Sequence, residues 1–140
     1  MSRFKAAVPE DHVPANVALF WGYRMPIVEW SEQVLVVDLL NEPALSDDLL
    51  SLSERIESSD RCQDVVLNFL GVGFLNSSNI SQLLRVREAL KSSGGRMCLC
   101  SVNPSIASVL EVTHLDRLFH QEADTASALA ALQMAADDAD

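Results

Sequence analysis

From position 26 onward the apolar residues of this chain alternate between runs suited to strands and stripes suited to helices, and the changes of period mark its elements. Pro26 to Trp30 and Val34 to Leu40 are β-rich runs separated only by Ser31-Glu32-Gln33, which predicts a hairpin with a short polar loop. Asn41-Glu42-Pro43 ends the second run. Leu45, Leu49, Leu52 and Ile56 then recur at spacings of four, three and four, one apolar stripe of a helix. Ser46 is expected to cap its start, with Asp47 and Asp48 suited to the positive end of the helix dipole.

Asp64 to Leu70 is nearly continuous in apolar residues, the pattern of a central strand covered on both faces. After the link Gly71 to Leu75, the cluster Asn76-Ser77-Ser78-Asn79 opens a second helix, with Ile80, Leu83, Leu84 and Leu90 at helical spacing. Ser92-Ser93-Gly94-Gly95 stops it. Met97 to Val102 reads as a short buried strand, and Asn103-Pro104 as a cap and first-turn proline for a third helix ending near Thr113-His114. Leu118 and Phe119 suggest a brief last strand before an alanine-rich helix that opens at Asp124-Thr125. The predicted order is β-β-α-β-α-β-α-β-α, an α/β fold in which strands after the hairpin pair in parallel across helical crossovers.

Length and charge narrow the class. With 140 residues, 49% of them hydrophobic, the chain suffices for one domain with a real core. We divide it into an N-terminal arm (1–23), a globular domain (24–134) and an acidic C-terminal tail (135–140). The arm has no clear period, yet Val17, Leu19, Phe20, Trp21 and Tyr23 are too apolar for a free tail. It packs either onto its own domain or onto a second subunit, so a homodimer is among the expected assemblies. The formal charge of −10, from 20 acidic and 10 basic side chains, argues against nucleic acid and against anionic membrane surfaces. No run approaches the roughly 18–20 apolar residues of a membrane helix, and no signal-peptide core follows Arg3 and Lys5. The expectation is a cytoplasmic protein that meets other proteins.

The residues offer little for catalysis. Gly71-Val72-Gly73 lacks the further glycine and lysine of a phosphate-binding loop, and no nucleophile elbow or H-E-x-x-H occurs. His114 and His120 are poorly spaced as a metal pair. Cys62, Cys98 and Cys100 form no ligand motif, and Cys98 and Cys100 would share one face of a strand as buried thiols. No cofactor, no metal and no enzymatic activity are therefore expected. The one segment with chemical interest is Asn76-Ser77-Ser78-Asn79, where two hydroxyls meet a helix N-terminus with unpaired N–H groups and partial positive charge. Capping alone accounts for Asn and Ser here; a phosphate on either hydroxyl would also be tolerated and would add about −1.5 to −2 charge to the surface.

At this segment the chain resembles the STAS family, named for sulphate transporters and anti-sigma-factor antagonists. The resemblance runs from about Ile27 to Leu132 and rests on Val65 to Asn79, on the Gly94-Gly95-Arg96-Met97-Cys98-Leu99 strand, and on Val109-Leu110 to Leu118. It implies a mixed β-sheet with helices packed mainly on one face. It also implies an anti-sigma-factor antagonist-like module in a bacterial partner-switching pathway, whose partner is an anti-sigma factor with serine-kinase character. On that resemblance Ser78 takes the place of the phosphoacceptor, and Asn76, Ser77, Ser78 and Asn79 form the partner-binding surface. The family usually carries Asp where Asn76 stands and Gly where Asn79 stands, so an unphosphorylated STAS scaffold or oligomerisation module is the alternative expectation.

Overall fold

A computed structural model describes residues 27–138 of the chain. Five strands form one sheet, in the order in which they occur along the chain. They are β1 (Ile27–Ser31), β2 (Val34–Leu40), β3 (Asp64–Gly71), β4 (Met97–Cys100) and β5 (His120–Glu122). β1 runs antiparallel to β2, with Ile27 opposite Val37 and a register shift between Glu29 and Ser31. The other three pairings are parallel. Among the described residues four α-helices join or follow the strands: α1 (Ala44–Glu57), α2 (Ser77–Ser93), α3 (Pro104–Val112) and α4 (Thr125–Asp138), with a 3-10 turn at Leu115–Arg117. The N-terminal arm lies outside the described residues.

Side chains alternate along each strand, so the sheet has two distinct faces. On the first, Leu35, Val37 and Leu39 of β2, Val65, Leu67 and Phe69 of β3, and Leu99 of β4 meet the stripes of the crossover helices. α1 contributes Leu45, Leu49, Leu52 and Ile56, as its spacing predicts. α2 contributes Leu83, Val86 and Leu90, so Val86 rather than Ile80 completes that stripe. Each such side chain removed from water stabilises the fold by about 1.5–3 kcal/mol before entropy is counted. On the second face α4 packs alone among the helices, with Ala128 and Leu132 against Val36, Val66, Cys98 and Cys100. Three helices on one face and one on the other make the sheet unequally covered, and β3 is buried on both sides as expected of the central strand.

The stops and starts follow local chemistry. Gly94 takes a left-handed φ of 88° at the end of α2, and the Gly95 N–H reaches back to the Leu90 carbonyl at 2.8 Å. Gly95 itself has no room for a side chain, because a Cβ there would stand 2.0 Å from the Gln63 carbonyl oxygen. Asn103 caps α3 by accepting the Ile106 N–H at 2.9 Å, with Pro104 in the first turn.

Three boundaries depart from the sequence reading. β4 stops at Cys100, two residues short of Val102, because Ser101 turns to a positive φ of 57°. The last strand is His120–Glu122 rather than Leu118–Phe119: Leu118 closes the 3-10 turn, and Phe119 is a buried plug in the first-face core. α1 begins at Ala44, so Ser46 lies inside its first turn instead of capping it, and Asp48 is buried in that turn. α4 continues through Asp138, into the stretch we assigned to an acidic tail.

Candidate functional site

The carboxyl ends of β2 and β3 and the first turn of α2 meet at one end of the sheet. Asn76 sits at the N-cap of α2 in extended backbone, and its side-chain oxygen accepts the Asn79 N–H at 2.8 Å. In return the Asn79 side-chain oxygen accepts the Asn76 N–H at 3.0 Å. This is a reciprocal capping box built from two asparagines, satisfying two backbone donors that a helix start otherwise leaves open. Ser77 and Ser78 occupy the two positions between them, and both are exposed. Neither hydroxyl is hydrogen-bonded to another described residue.

Asn79 does more than close the box. Its side chain is fully buried, and its amide donates to Glu42 Oε2 at 2.8 Å. Glu42 Oε1 accepts the Ser46 N–H at 2.8 Å, and Oε2 also accepts the Ser46 hydroxyl. The carboxylate therefore caps α1 from outside the helix and joins it to the start of α2. Hydrogen bonds from the Ser46 hydroxyl, then from Asn79 and the Ser46 N–H, hold the Glu42 carboxyl below its ordinary range. Gln82 adds a weaker link to the Ser46 carbonyl at 3.4 Å. The two helix starts are thus locked to each other beneath the exposed serines.

The loop leading into this turn is held from both sides. Asn41 Oδ1 accepts the Gly73 N–H at 2.8 Å, and the Asn103 amide donates to the Val72 carbonyl at 3.2 Å. Between these ties Phe74 is left 65% exposed, and Leu70, at the end of β3, 78% exposed. Phe74 is thus an outward aromatic side chain on a loop tied at both sides, two residues before the cap of α2.

The match to the STAS domain family model covers residues 29–128. The chain belongs to the STAS domain family. Among similar proteins, an anti-sigma F factor antagonist of Paenibacillus polymyxa is 25% identical over 85 residues, covering 61% of this chain and 72% of that protein. The solved structure of a STAS domain anti-sigma-factor antagonist protein from Planctomyces limnophilus matches with a TM-score of 0.64 at 27% identity, over 74% of this chain and 93% of that one. The anti-sigma factor antagonist SpoIIAA in its unphosphorylated form matches with a TM-score of 0.66 at 18% identity, over 78% of this chain and 96% of that one, a likeness of fold. The mixed sheet with most helices on one face is thus the STAS architecture.

Of the four residues singled out in the sequence, this STAS domain brings Asn76, Ser77 and Ser78 to the surface and turns Asn79 inward. Asn79 supports the surface from below and is not itself part of it. Sequence reasoning missed Glu42, Asn41 and Asn103, which fix the turn from positions far along the chain. Phe74 carried a signal, since an aromatic residue in a Gly-rich link has no helical or strand period to explain it.

Elsewhere, a groove of about 590 Å³ lies between the far end of α2, β5 and α4, lined by Arg87, Lys91, Met97 and Leu118 among others. Arg87 Nε donates to the Leu118 carbonyl and Arg96 pairs with Asp64 at 2.7 Å, so two of its cations are already engaged within the fold. Among the described residues no cluster of three His, Cys, Asp or Glu side chains could hold a metal ion, and no helix is long and apolar enough to cross a membrane.

Proposed function

We propose that this protein is an anti-sigma-factor antagonist-like binding module of a bacterial partner-switching pathway. It acts in the cytoplasm by contact with a partner rather than by catalysis. The observation that carries the reading is the pair of outward hydroxyls, Ser77 and Ser78, held in a rigid first turn by the Asn76–Asn79 box beside exposed Phe74. The partner is an anti-sigma factor with serine-kinase character, bound through Asn76, Ser77, Ser78 and the neighbouring apolar side chains. Asn79 contributes by keeping the turn in shape.

In this reading Ser78 is the phosphoacceptor. Its place in the first turn sets a phosphate near backbone N–H groups that have no helical partner, so the modified helix is not destabilised locally. The added charge of about −1.5 to −2 instead acts outward, against an acidic or apolar partner surface. Binding and release then differ by one modification at one turn.

The test is intact-mass measurement of the protein taken from its own cells, with mapping of any added phosphate, followed by binding of Ser78→Asp to the partner recovered with it. Phosphate on Ser78 together with weakened binding of Ser78→Asp supports the switch. An unmodified mass across growth conditions, with Ser78→Asp binding as tightly as the parent, sinks it.

One feature favours a second reading, a STAS scaffold without phosphate control. The N-cap residue is Asn76, which carries no charge and whose oxygen is already occupied by the Asn79 N–H. No carboxylate at that position can accept the proton of an attacking hydroxyl. The same mass measurement separates the two readings.

A further inference from the structure

The groove between the far end of α2, β5 and α4 differs in charge from the chain as a whole. The chain carries 20 acidic and 10 basic side chains, yet Arg87, Lys91 and Arg96 line this groove against one carboxylate, Glu122. That carboxylate is engaged by His120 at 2.6 Å. The rest of the lining is mostly apolar, with Leu90 of α2, Met97 of β4, Leu118, and Leu132 and Met134 of α4. Leu118 is 41% exposed and Met134 62%, so apolar surface stays open to water on both the 3-10 turn and α4. Methionine side chains adapt readily to an apolar occupant.

Two of the cations also fix the walls. Arg87 Nε donates to the Leu118 carbonyl at 3.2 Å, which ties α2 to the 3-10 turn. Arg96 Nη2 donates to the Leu132 carbonyl at 3.2 Å and to Asp64 Oδ2 at 2.7 Å, which ties the start of β4 to α4 and β3. The carboxylates paired with these arginines, Glu88 and Asp64, are not among the residues that line the groove. A guanidinium has five N–H donors, so each arginine keeps some for a further acceptor. Lys91 is exposed, and among the described residues its amine has neither an ion pair nor a hydrogen bond. Arg87 and Lys91 stand four apart on α2 and so share one face of the helix.

We propose that this groove binds a long-chain carboxylate, with the acyl chain along Met97, Leu118 and Met134 and the carboxylate on Lys91 and Arg87. The volume of about 590 Å³ falls within the range of about 300–1,000 Å³ usual for small-molecule sites, which are likewise mostly apolar with a few convergent polar groups. An acidic protein or an anionic bilayer is repelled by a chain of net charge −10, whereas a molecule with a single carboxylate meets far less of that field. The site is separate from the start of α2: Ser78 and Lys91 lie about 20 Å apart along the helix. Either reading can therefore fail without the other.

The test is isothermal titration of the full chain with dodecanoate below its micelle concentration. One saturable site is expected, with decanoate binding about tenfold more weakly for its two missing methylenes and acetate not at all. Lys91→Glu and Met134→Glu, both at exposed positions, should each weaken dodecanoate at least tenfold while the far-UV circular dichroism is unchanged. Lys91→Gln, expected to lose about fivefold, decides the head-group contact should Lys91→Glu fail to fold. Leu70→Asp, in the other exposed apolar region, should leave binding as it is. The absence of saturable binding overturns the proposal, as does binding that either groove position leaves intact or that Leu70→Asp removes. Binding to vesicles containing phosphatidylglycerol but not to monomeric dodecanoate assigns the groove to a membrane and overturns it as well.

Discussion

The buried amide of Asn79 is bound to the carboxylate of Glu42 at 2.8 Å, across 37 residues of sequence. One side chain thereby closes the cap of α2 and fastens α2 to the start of α1. Asn79→Gly removes the box and the link together and is expected to lower stability by about 2 kcal/mol, as measured by urea unfolding. Asn79→Asp keeps the acceptor for the Asn76 N–H but sets a second carboxylate against Glu42. The gain from a negative charge near a helix start, up to about 1 kcal/mol, is smaller than the cost of burying it beside a like charge. At neutral pH, then, Asn79→Asp should be the less stable of the two; the reverse order would mean that the Glu42 contact contributes little.

The same carboxylate predicts a pH dependence. Because hydrogen bonds hold the Glu42 pKa below its unfolded value of about 4.3, its contribution is complete above that value and is lost as pH falls through the lowered folded pKa. Unfolding midpoints of the parent and of Glu42→Gln should therefore differ by a constant amount near neutrality and converge in acid. A difference that grows toward low pH would contradict the assignment.

Gly95 is expected to tolerate no side chain. A Cβ there meets the Gln63 carbonyl at 2.0 Å, and backbone cannot yield as a flexible side chain would. Gly95→Ala should cost about 3 kcal/mol, read from the shift in the denaturant midpoint at unchanged slope. Gly73, whose added Cβ would come no nearer than 3.9 Å to the Asn41 side chain, is the matched control and should accept alanine with little loss.

The thiols should separate cleanly. Cys62 is exposed, whereas Cys98 and Cys100 are buried under α4. Burial pushes the Cys98 thiol up to about 12 and raises that of Cys100 as well. Since the thiolate is the reacting form, a disulfide reagent at mildly alkaline pH should modify one thiol in the folded protein and three after unfolding. Fast modification of two or three thiols before unfolding would show that α4 does not stay closed over β4.

How much of this was legible in the sequence depended on distance along the chain. The stripe of α1, the double-sided burial of β3 and the glycine stop of α2 are set by neighbours within a few residues, and the periodicity carries them. The start of α1 was misread because Ser46 has the look of a cap, while the group that caps that turn is Glu42, on the far side of Pro43. The last strand was misplaced for a related reason. An apolar pair, Leu118-Phe119, drew attention from the polar His120–Glu122 that pairs with β4 at the edge of the sheet. At the site, the Asn76 cap is a local property and was expected. That Asn79 turns inward is not, because its partner is brought there only by the packing of two helices.

The order of strands in space is the order in which they are made. Neighbouring strands therefore close over short separations: residues 64 and 96, joined through the Asp64 carboxylate, are 32 apart in sequence. Because folding slows as contacts become more distant along the chain, this layout favours rapid folding for a mostly parallel sheet. During synthesis, each strand from β2 onward leaves the ribosome after the one it must join, so the sheet can grow in a single direction without waiting for the end of the chain.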